Sequence, residues 1–131
     1  MNNKNKNIMV LLLAALLVFC VSCEKSKKDY RKQWVGTYEC RTTFFEKPTV
    51  IIDITISGDS LLYIAERDLE EYEGGVDCDV KVDNNGDFKN SPIERPLING
   101  NFYGDSLFID YLYPAPGSTV SAIYKGKKIK K

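Results

Sequence analysis

Histidine is absent from the chain. That absence removes the commonest general base and the commonest metal ligand available near neutral pH. Cysteine is scarce, and Cys40 and Cys78 stand 38 positions apart, a spacing that matches no zinc module. Long apolar runs are missing too. The longest, residues 8–21, covers about fourteen residues, where a membrane-crossing helix needs roughly twenty. Neither sign of charge is in excess, with 18 Lys plus Arg against 18 Asp plus Glu, so nothing points to nucleic acid. Carboxylate-only chemistry stays open, but no spaced pair of acids stands out. The expectation is a protein that is not an enzyme, holds no metal and uses no cofactor.

What is present begins at the N-terminus. Lys4 and Lys6 precede the uncharged apolar run, which closes on CVSC at 20–23. Basic residues ahead of a short apolar segment form a secretory signal. Ser22 directly before Cys23 resembles the lipobox of bacterial lipoproteins, which are cut ahead of the cysteine and lipidated on it. The resemblance implies a signal peptide helix over residues 1–22, lipid on Cys23 and a membrane anchor in the cell envelope. An ordinary signal peptide or a membrane anchor is the alternative. The chain resembles the small lipoproteins of Bacteroidota, in which acids just after the lipidated cysteine favour export to the cell surface. Here lysines follow Glu24 at once, which implies the outer membrane and a periplasm-facing protein. Cutting after residue 22 removes two lysines and no acid, leaving 109 residues with 16 basic and 18 acidic side chains. That is one modest domain. Residues 23–33 read as the lipidated cysteine and a basic tether drawn to anionic headgroups, and 34–131 as the domain.

From Trp34 onward the apolar residues recur with a period of two. Trp34, Tyr38, Cys40 and Phe44 share one face, as do Val50, Ile52, Ile54 and Ile56, and then Val76, Cys78, Val80 and Val82. These are half-buried strands. About eight are expected, at 34–45, 49–57, 60–66, 76–82, 87–90, 97–103, 106–113 and 119–128. Gly58-Asp59 and Gly104-Asp105 each separate two strand-like runs, the signature of a two-residue hairpin turn. The first turn is expected to set Ile54 opposite Tyr63, and the second Phe102 opposite Leu107. A three-residue loop, Asn84-Asn85-Gly86, is expected to pair Val82 with Phe88.

Both glycine-aspartate pairs belong to the tetrapeptide GDSL, which resembles the nucleophile motif of the GDSL hydrolases. In that family the serine lies between a strand and a helix and relies on a histidine. Without such a base a serine hydroxyl is a poor nucleophile, so the repeat is turn chemistry.

Consecutive hairpins imply an all-β, antiparallel up-and-down meander, which eight strands can close into a small barrel; a β-sandwich is the alternative. The stretch WVGTY at 34–38 resembles the first strand of the calycin-like barrels, including the lipocalins, and that resemblance implies a Trp34 that plugs the barrel's base. The tight turns should gather at one end with both chain termini. The connections 46–48, 67–75, 91–96 and 114–118 should gather at the other.

Candidate sites follow from that arrangement. Cys40 and Cys78 form a disulfide, which the compartment permits, or stay as two buried thiols. Tyr38, Phe44, Tyr63, Phe102, Tyr111 and Tyr113 line a ligand cavity, or else fill a core. The YPAPGS segment, 113–118, borders a cavity mouth with Tyr72, or is a proline-stiffened connection. Glu66, Asp68, Glu70, Glu71 and Glu73 make an acidic rim for a basic partner, or a solvated loop. The segment DNNGD at 83–87 misses the calcium-loop pattern, because Gly86 precedes Asp87. The expected role is a non-catalytic binding module for a small apolar or amphipathic ligand. The alternative is a protein-interaction module using the acidic rim; TYEC at 37–40 resembles the start of the membrane-bound lysozyme inhibitors.

Overall fold

Alternating apolar and polar residues carry nearly the whole domain into strands. The computed structural model describes residues 28–44, 47–69 and 74–130; the signal segment and Cys23 lie outside them. A short 3-10 helix (Tyr30–Gln33) precedes β1 (Gly36–Thr42), β2 (Thr49–Ser57), β3 (Leu61–Glu66) and β4 (Asp77–Val82). Then come β5 (Asp87–Lys89), β6 (Leu97–Tyr103), β7 (Ser106–Ala115) and β8 (Ser118–Lys130). Each strand pairs antiparallel with the next, and β8 returns to β1, so the meander closes into a barrel. Closure excludes the sandwich.

The turns fix the register. Gly104-Asp105 reverses the chain in two residues and sets Phe102 opposite Leu107 and Ile98 opposite Tyr111, as its sequence predicts. Asn84-Asn85-Gly86 sets Val82 opposite Phe88, with Gly86 at a φ of +93°. The first hairpin departs from its expected register. Ser57 pairs with Leu61 and Ile54 with Ile64, so the loop takes a third residue, Ser60. One extra residue turns every following side chain to the other face. Leu62 and Ile64 therefore enter the core, and Tyr63 points outward. Both faces of LLYIAE are partly apolar, which is why alternation misreads it. The last connection is also tighter than expected: Ala115 pairs with Ser118 across Pro116-Gly117, so YPAPGS is mostly strand. Pro116 and Gly117 suit such a turn, Gly117 having a φ of +80°.

Two aromatic clusters fill the interior. At the base, Phe102 stacks on Trp34 at 5.3 Å and meets Phe88 at 5.0 Å and Tyr38 at 6.0 Å. Toward the mouth, Phe44 stands edge-on to Tyr111 at 5.5 Å and to Tyr124 at 6.0 Å. Ile52, Ile54, Leu62, Ile64, Val80 and Ile109 occupy the layers between and are essentially unexposed. Each such side chain contributes roughly 1.5–3 kcal/mol by leaving water.

The end of the expected tether, residues 29–33, is part of the fold. Asp29 caps the 3-10 helix by accepting from the Arg31 amide. The Arg31 guanidinium pairs with Asp29 at 2.7 Å and donates to the carbonyls of Gly58 and Leu61. Tyr30 donates to the Val82 carbonyl, and Lys128 donates to those of Gln33 and Val35. These bonds seal the tight-turn end over Trp34, which is 5% exposed. Trp34 is a plug.

Candidate functional site

The opposite end of the barrel is built differently. Glu66 is the last residue of β3, and alternation turns it inward with Leu62 and Ile64. It is 7% exposed. A buried carboxyl group requires polar partners, and Tyr124 of β8 donates to its Oε2 at 3.3 Å. Gly75 crosses directly above. A Cβ there would fall 2.6 Å from Glu66 Oε2 and 2.5 Å from Leu69 Cδ1, so a side chain at this position would have to displace both side-chain tips. Phe44, half-buried, leans on Tyr111 and Tyr124 from the β1–β2 side. Among the described residues, the mouth is thus an aromatic wall around one buried acid, Glu66.

Around Glu66, burial keeps the neighbouring hydroxyls and thiol in their neutral forms. Burial, then the charge of Glu66, pushes the Tyr124 hydroxyl well above its ordinary value. Burial first, with Tyr113 and Glu66 adding, raises Tyr111. Burial and then Glu66 push the Cys40 thiol up to about 12. A thiol so raised is a weak nucleophile at neutral pH.

Beyond the rim, β7 and β8 continue as a projecting hairpin. Tyr113 pairs with Val120 and Leu112 with Ser121. Leu112, Tyr113, Val120 and Ile123 are exposed, and residues 111–124 carry no charge.

Comparison with known proteins gives nothing to set beside this site. No protein-family model, curated protein or solved structure matches the chain.

The residues expected to line a cavity separate into groups. Phe44 and Tyr111 meet at the mouth. Tyr113 stands above it on the projecting hairpin. Tyr38 and Phe102 belong to the sealed base, where the Tyr38 hydroxyl donates to the Trp34 carbonyl at 2.9 Å. Tyr63 faces outward and donates to Asp77; the slipped register removes it from any interior site. The expected acidic rim is not assembled as drawn. Glu66 is taken inside, Asp68 is exposed, and Glu70, Glu71 and Glu73, with Tyr72, lie outside the described residues. The disulfide is not formed: Cys40 on β1 and Cys78 on β4 are free thiols, three strands apart around the wall. Among the described residues, no group of three or more Cys, Asp or Glu could hold a metal ion. Tyr124 is the mouth residue that sequence reasoning missed, although its even position in the alternating run of β8 marks it as inward.

Proposed function

We infer that the chain is an envelope lipoprotein, anchored through Cys23 to the outer membrane and facing the periplasm, whose barrel is a non-catalytic binding module. Its ligand is a small amphipathic molecule held at the mouth, the apolar part against Phe44, Tyr111 and Tyr124 and a polar group toward Glu66. One observation carries this reading. The two ends of the barrel are sealed unequally, the base by a hydrogen-bonded plug and the mouth by aromatic rings around the buried Glu66. Sites of this kind combine apolar walls with few, well-placed polar groups. The competing reading, capture of a basic protein by an acidic rim, loses Glu66 to the interior.

The test is native mass spectrometry of residues 24–131 purified without leader or lipid. The expected result is a copurifying small molecule, lost on Phe44→Ala and weakened on Glu66→Gln. An adduct indifferent to both substitutions, or a bare protein that retains basic proteins instead, overturns the reading.

A further inference from the structure

A cleft of about 430 Å³ opens on the outer wall between the β4–β5 hairpin and β6, lined on its outward face by Lys81, Asp83, Asp87, Lys89 and Asn99. Its volume lies within the range of small-molecule sites. The ladder orders its charges into two rows. Lys81 lies opposite Lys89, and Lys89 opposite Asn99. One step toward the turn, Asp83 and Asp87 lie opposite each other, joined by the bond from the Asp83 amide to the Asp87 carbonyl.

Like charges directly opposite on a sheet are destabilising. Here two such pairs are adjacent, and neither relieves the other. Among the described residues, neither Lys81 nor Lys89 has an ion-pair partner. Asp83 Oδ1 is taken by the amides of Asn85 and Asp87. What the cleft offers is a row of ammonium groups, with the Asn99 amide at its end, beside a row of carboxylates. Successive outward positions on a strand are about 6.6–6.8 Å apart. A phosphate carrying an ammonium group on a two-carbon linker matches that order of charges.

We propose that this cleft binds a zwitterionic phosphoester of the phosphoethanolamine class, its phosphate between Lys81 and Lys89 and its ammonium group toward Asp83 and Asp87. The inference is independent of the mouth site. Two sources share this chemistry, a phospholipid headgroup and a free metabolite. Tyr30 donates to the Val82 carbonyl at 3.0 Å, which places residue 30 beside the cleft. From Lys28 to Cys23 is at most roughly 18 Å of extended chain. On the reading that Cys23 is lipidated, headgroups lie within reach.

The test is a titration of the full-length, isotope-labelled chain in non-ionic detergent with O-phosphoethanolamine, read by amide chemical shifts. The expected result is saturable shifts at residues 81–83, 87–89 and 99. The Lys81→Gln/Lys89→Gln pair should weaken binding by about ten-fold or more, and Asp87→Asn should reduce it too. Both changes are on exposed side chains, so the unperturbed spectrum elsewhere reports the fold. Absence of saturable shifts at the cleft overturns the proposal. Binding that survives the double substitution, or equal binding of inorganic phosphate, overturns it as well. Given binding, vesicles of phosphatidylethanolamine against phosphatidylglycerol separate the sources: a preference for the former assigns the headgroup, and none assigns the free compound.

Discussion

Gly126 of β8 lies opposite Cys40 of β1 on the seam that closes the barrel. A Cβ at that position would fall 2.2 Å from the Cys40 sulfur and 3.1 Å from the Glu39 carbonyl. Gly126→Ala should therefore destabilise by roughly 1–3 kcal/mol through overpacking. In a Cys40→Ala background the added loss should shrink, because the first clash is gone. Urea denaturation of the two single variants and the double gives the coupling, and strictly additive losses would contradict the seam. The register of the first hairpin makes a second contrast between neighbours. Ile64→Ala should lose about 2–5 kcal/mol, and Tyr63→Ala only a fraction of that, since its ring lies on the outer wall. The order would reverse in the two-residue turn that the sequence suggests.

At the scale of elements, the amount legible in advance follows the clarity of alternation. VDCDVKV places charged residues between apolar ones, and in TVIIDITI Asp53 and Thr55 do the same; Val50, Ile52, Ile54, Val80 and Val82 are buried as read, whereas Ile56, near the end of its strand, is exposed. LLYIAE has no such spacing, and the three-residue turn through Ser60 decides its orientation instead. Deleting Ser60 should force Leu62 and Ile64 outward or break the pairing, abolishing the cooperative unfolding transition seen by circular dichroism. The basic segment before Trp34 shows no period, so nothing in its pattern announced the Arg31 bonds to Gly58 and Leu61 that tie it down. Those bonds reach carbonyls some thirty residues away, and local sequence does not encode that. The mouth was half legible for a related reason. Phe44 and Tyr111 fall on apolar faces, whereas Glu66 reads as a loop acid until the register turns it inward.

The molecule as a whole should respond to pH from both sides. The Arg31 side chain, hydrogen-bonded to Asp29, holds that carboxyl below its ordinary 3.8. Burial pushes Asp53 upward, but the Thr37 hydroxyl and the Arg67 guanidinium outweigh it and hold it below the same value. Groups lowered by folding stabilise above their unfolded value, and that contribution fades as pH falls through the folded one. On the alkaline side the sign inverts. Burial lifts Cys40 and Cys78 from 9.0 to about 12 and raises Tyr38 and Tyr124 above 10.0. Their contribution is intact below those ordinary values and drains away as pH climbs. Thermal midpoints should hold a plateau near neutrality, decline below about pH 4 and decline more steeply above about pH 9. Cys40→Ala/Cys78→Ala should soften the alkaline limb alone. The barrel's rungs are also unevenly distributed: β4 and β5 share two pairs, Lys81 with Lys89 and Val82 with Phe88, whereas β6 and β7 share seven. Breathing of the wall should start at that short ladder, giving water and small reagents a sideways entrance beside half-buried Cys78. An alkylating probe at mild alkaline pH should then mark Cys78 long before Cys40, and the lag between them would time how often the cylinder unzips.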